Sequence, residues 1–173
     1  MMQYKRVPRT ALRTLRRSVA AALAGAVCSL ATSAQAADVA YPQGYRAWTH
    51  VKSMVINPGH PLHEAFGGIH HIYANAKAMQ GYRSGRFADG SVIVFDLLDV
   101  NTADHAVQEG QRKVVGVMVK NARRHAATGG WGYEGFKGDS TTERAVGANA
   151  ATACHACHTA QKDKDFVFSA YRK

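Results

Sequence analysis

Cys154, Cys157 and His158 stand in the run ATACHACHTAQ, and only 15 residues follow them. Cys-x-x-Cys-His is the spacing at which two thioethers and an adjoining imidazole hold a c-type haem. Placed this late, the motif dictates the order of construction. Nearly all of the surface that covers a haem has to be built from chain that precedes it. A disulfide, a redox dithiol or half of a zinc site are the other uses of such a pair. The adjoining His158 and the lack of a second Cys pair favour haem, because the one other cysteine, Cys28, stands alone.

Residues 1–17 hold six basic side chains and no acidic one. An apolar run of small residues follows, SVAAALAGAVCSLA, and then an Ala-x-Ala site at Ala34-Gln35-Ala36. This order predicts a secretory signal peptide over residues 1–36 and an exported, periplasmic domain over residues 37–173. The run is too short and too alanine-rich for a spanning helix, so no membrane partner is expected once the signal is removed. Charge then reads differently. The whole chain is +10, but all 12 acidic and only 16 of the 22 basic residues lie beyond residue 36, leaving +4. A nucleic-acid partner loses most of its support.

Beyond Asp38-Val39-Ala40 the chain has no repeat and no low-complexity tract. Alternating, β-branched or aromatic runs predict strands over 48–56, 66–74, 91–100, 112–121 and 129–136. Asn75 and Gly85 bracket a short predicted helix as cap and terminator. Strands in succession with short connections point to an antiparallel sheet. The tail, NAATACHACHTAQK, predicts a helix with Cys154, Cys157 and His158 on one face. The expected class is α+β: a mainly antiparallel sheet of about five strands with short helices, the last bearing the Cys-x-x-Cys-His motif.

With His158 as the proximal iron ligand, the other axial position decides the chemistry. No Met or His follows His158, so a sixth ligand has to come from Met54, Met79, Met118, His70 or His71 upstream. Met79 and Met118 read as core residues. His70 and His71, adjacent in a strand, face opposite ways, and His70 is the better candidate because it shares parity with Phe66 and Gly68. His60 and His63 with His70 form a weak zinc pattern, no carboxylate or cysteine completing it. Glu134 and Asp139 are the acids within reach of a distal pocket, with exposed turn positions as their ordinary fate. An open sixth position is the leading expectation, which suits a small gaseous ligand.

Seven segments taken in order resemble the cytochrome P-460 and cytochrome c-prime-beta family: YPQGYRAWTHV, EAFGGIHHIYAN, GRFADGSVIVFDLL, RKVVGVMVKN, GGWGYEGF, CHACHT and DFVFSAYR. The resemblance implies a mainly β domain, usually a homodimer, with one covalent haem c. It implies thioethers at Cys154 and Cys157 and proximal ligation by His158. One branch of the family cross-links a lysine to the haem and oxidises hydroxylamine. Phe95 stands where that lysine is expected, which favours the c-prime-beta branch. That branch caps an open haem with phenylalanines, matched here by Phe66 and Phe95, and binds nitric oxide and carbon monoxide. The other readings are a P-460-like oxidase and an electron-transfer cytochrome with an unidentified redox partner. The long amphipathic helices of a four-helix cytochrome are poorly served by SVIVFDLL and KVVGVMVK.

Overall fold

The computed structural model describes residues 39–172. The segment read as a signal peptide, residues 1–36, lies outside them. Five strands form one antiparallel sheet in sequence order: β1 (Thr49–Ile56), β2 (Gly68–Ala74), β3 (Val92–Ala103), β4 (Ala106–Lys120) and β5 (Trp131–Lys137). Among the described residues no helix is long and apolar enough to cross a membrane.

Two strands run longer than the sequence indicates. β3 and β4 continue past the core as a hairpin closed at Asp104-His105, where both residues have positive φ, 52° and 59°. That backbone matches the right-handed twist of a hairpin, but it is normally signalled by Asn-Gly or Asp-Gly. Conversely, Phe66 is not in the second strand. It ends a short helical turn, α1 (His63–Phe66), and β2 begins only at Gly68. Gly68 has φ +125°, and a Cβ there would come within 2.2 Å of the Leu98 carbonyl oxygen. No other residue fits so close to β3, so the chain turns there and releases Phe66 from the strand.

The helix α2 (Ala76–Ser84) keeps its predicted ends. Asn75 Oδ1 accepts the Ala78 N–H at 2.8 Å and also the Val92 N–H at 3.2 Å, while Nδ2 donates to the Gly90 carbonyl. One side chain thus caps the helix and ties it to the start of β3. Asn75→Ala is expected to cost about 1–2 kcal/mol, read by urea unfolding.

Strand alternation divides the sheet into two faces, each with its own core. On the first, Ile72, Ile93, Met118, Trp131 and Tyr133 pack with Ala78, Met79 and Phe87, and the last segment of the chain closes over them through Val167. On the second, Val94, Val115, Val117 and Phe136 meet Tyr45, Tyr73 and Val39, so the entry segment covers that face. Met79 and Met118 are core residues, as their positions in α2 and β4 indicate.

The C-terminal helical segment is not a single regular helix. It runs through a turn at Gly147–Asn149, a wide π turn at Ala151–His155, one α turn at α3 (Ala156–His158) and a tighter stretch at Thr159–Lys164. Its entry is held by Glu134, which is buried on the second face. Glu134 accepts from Arg144 at 2.8 Å and from the N–H groups of Gly135, Val146 and Gly147. Burial works against its charge, but Arg144 and the three N–H groups outweigh that and hold the carboxyl below its usual range.

Candidate functional site

The motif residues lie against the first face. Cys154 is half-buried against the Ile93–Met118–Tyr133 core, whereas Cys157 is exposed, so the two thiols do not share one environment. Both are free. Burial, with Glu134 and Cys157 adding to it, pushes the Cys154 thiol up to about 11. It is therefore a thiol at neutral pH, which is unlike the depressed pKa of a reactive redox dithiol. The π turn ends at His155, between the two cysteines. Such bulges are concentrated at functional positions of helices.

The imidazole of His158 is held in one tautomer and one orientation. Its Nδ1 lies 2.7 Å from the Phe166 carbonyl oxygen, which can only accept, so Nδ1 carries the proton and Nε2 keeps its lone pair. Tyr133 packs on the imidazole with ring centroids 5.1 Å apart, and Phe168 meets it edge-on at 5.0 Å. Burial holds the imidazole below its ordinary pKa, against the opposing effect of the Phe166 bond. A neutral imidazole, oriented through its other nitrogen, is the state that binds metal. These residues fit a haem held by two thioethers and one histidine.

Phe95 points from β3 into the same face and packs against the same core as Cys154. Phe66, released from β2 by the turn at Gly68, meets Phe95 edge-to-face with centroids 5.7 Å apart. The ring of His70 lies 4.6 Å from Phe95. Strand parity would group Phe66 with His70, but Phe66 lies outside β2; the two rings instead each meet Phe95, Phe66 from a helical turn and His70 from the strand. Opposite Phe95 across the strand pair is Gly116, which leaves the ring room.

His70 is 5 % exposed, and its Nδ1 has no hydrogen-bond partner among the described residues. Burial, helped by Lys52 and His71, lowers its pKa from 6.5 to about 4. The unfolded chain therefore binds a proton between these values that the folded chain refuses, so stability rises with pH across that window. Going from pH 7 to pH 5 should cost about 2 kcal/mol through this group alone. His70→Gln should remove that part of the pH dependence in urea unfolding at the two pH values.

The remaining candidates lie elsewhere. His71 faces the second side, where Nδ1 is 2.6 Å from Ser53 Oγ and Nε2 is 2.8 Å from Glu109. Glu134, expected at an exposed turn or a distal pocket, is buried at the base of the C-terminal segment, because four donors need its carboxylate there. Asp139 is exposed and pairs with Arg112, which also binds the fully buried Asp96. Met54 is exposed on the edge strand. Among the described residues no three His, Cys, Asp or Glu side chains stand close enough to hold a metal ion, so His60, His63 and His70 make no zinc site.

Sequence reasoning missed the flanking of His158 by Tyr133 and Phe168, and its bond to Phe166. The signal was available in part. Trp131 and Tyr133 share parity in β5, and DFVFS brings two further aromatic rings just after the motif. A family model described as Cytochrome P460 matches residues 42–169. No curated protein matches the chain.

Proposed function

Because the chain belongs to the cytochrome P460 family, we propose that it is an exported cytochrome with one haem c that captures nitric oxide, and also takes carbon monoxide, in the periplasm. Cys154 and Cys157 hold the haem covalently and His158 ligates the iron through Nε2. When bound, the haem supplies an iron able to take up a small diatomic ligand. Haem attachment by this family's members supports the first part of the reading, and the c-prime-beta branch is its finer part.

The observation that carries the choice of ligand is the contact of Phe66 with Phe95 on the face that also seats Cys154. Phe66 is 39 % exposed and Phe95 half-buried, and neither phenyl ring offers a hydrogen bond to a bound molecule. Dioxygen depends on such a bond to stabilise its partial charge, and nitric oxide depends on it much less. The titratable ring in contact with Phe95 is that of His70, which burial keeps neutral. Glu134 is buried on the second face and Asp139 is exposed, so neither provides the general acid or base that a haem oxidase needs. A homodimer is the expected assembly.

Intact-mass analysis and a hydroxylamine assay test this reading against the oxidase. The expected result is one haem held by the two cysteines alone, with no sustained hydroxylamine turnover. A lysine–haem adduct with rapid turnover would replace it with the oxidase reading.

A further inference from the structure

The chain reverses immediately after the C-terminal helical segment, and it does so without glycine. Asp165 and Phe166 both take left-handed backbone, with φ of 52° and 64°. Each such residue costs on the order of 1 kcal/mol or more, so surrounding contacts have to hold it there. Those contacts converge on Asp165. Its Oδ1 is 2.6 Å from Lys120 Nζ, its Oδ2 accepts the Phe87 N–H at 2.9 Å, and its carbonyl accepts the Trp131 indole N–H at 2.8 Å. Lys120 also donates to the Gly129 carbonyl at 3.0 Å and lies over the Trp131 ring. The Lys120 and Asp165 side chains are only 10 % and 11 % exposed.

Phe166 is fixed from its other side as well. Its N–H donates to the Gln161 carbonyl at 2.8 Å, and its ring lies on Gly129, where a Cβ would come within 2.2 Å. The outcome of all these contacts is the placement of one atom. The Phe166 carbonyl oxygen accepts from His158 Nδ1. A buried ion pair contributes little net stability compared with apolar residues of the same size. What this pair provides is a single geometry for a strained turn.

We propose that Lys120 and Asp165 are positioning residues for the iron ligand. Their ion pair, anchored in β4, holds the Phe166 carbonyl against His158 Nδ1 and so sets how strongly the imidazole donates to the metal. A firm bond from Nδ1 gives the ring more imidazolate character, which stabilises the oxidised metal and lowers the reduction potential. This rests on the reading of His158 as the iron ligand.

The test uses the haem-loaded protein and three variants, Lys120→Met, Asp165→Asn and Lys120→Arg. A positioning role makes the first two move the midpoint potential the same way, upward. The expected shift is about tenfold in the ferric-to-ferrous ratio, or ~59 mV. The iron–histidine stretching band should fall in frequency in both, and Lys120→Arg should return both readouts toward wild type. Simple electrostatics gives the opposite pattern, because losing the cation lowers the potential and losing the anion raises it. Opposite shifts, or unchanged potentials and bands in folded variants, overturn the proposal. Should Lys120→Met fail to fold, the isosteric Asp165→Asn decides through the stretching band. Wild-type protein without covalent haem, or without histidine ligation, overturns the ligand reading and this inference with it, and is distinguishable because it precedes any variant.

Discussion

Replacing Cys154 and Cys157 together by serine is expected to abolish covalent haem. Intact mass should lose one haem, and acidified organic solvent should extract whatever pigment remains. The single variants should each keep one thioether and lose yield. The half-buried Cys154 is the more sensitive position, because its side chain also packs against the Ile93–Tyr133 core. The sheet should survive these changes. Its two cores are built from β1 to β5 and the segments around them, with the cysteines contributing one partly buried side chain. Wild-type protein whose haem is extractable would show that the motif is not used for attachment.

The second large effect concerns the distal rings. Phe95→Gln should put a hydrogen-bond donor where the proposed cap has none. A hydrogen bond to a partially charged ligand is worth about 1.5–3 kcal/mol, equivalent to about 10- to 150-fold in dioxygen affinity. Nitric oxide affinity should change by less than about tenfold, since it gains little from the donor. Phe95→Leu, which keeps the site apolar, should leave the selectivity near that of the wild type. Flash photolysis and stopped-flow rates for the two gases give the comparison. Equal gains for both ligands would mean that Phe95 acts by bulk and not by polarity.

The fold was legible where local pattern and tertiary demand agree. Val92–Val94 and Val114–Val119 alternate or cluster as buried strands do, and Asn75 and Gly85 end a helix by chemistry that is local to them. Legibility failed where the deciding partner is distant in sequence. Phe66 reads as strand because the residues after it do. Its displacement follows from Gly68 approaching the Leu98 carbonyl, 30 residues away. The hairpin tip at Asp104-His105 carries no glycine to announce it.

The site divides the same way. The Cys154, Cys157 and His158 spacing carries its meaning in five consecutive positions. Strand parity correctly separated His70 from His71. It gave no indication that Glu134 would collect four donors, or that Lys120 and Asp165, 45 positions apart, would meet. Ion pairs formed across the fold leave no periodic trace. The π turn at Ala151–His155, which carries Cys154, was equally silent, because helix type depends on hydrogen bonds and not on composition.

The absorption spectrum of the ferrous protein, taken without ligand and then under nitric oxide, tests the central claim most directly. The expected result is a five-coordinate, high-spin haem that converts to a nitrosyl species on addition of the gas, with dioxygen leaving no stable adduct. A six-coordinate, low-spin ferrous haem that is unchanged by nitric oxide would contradict it.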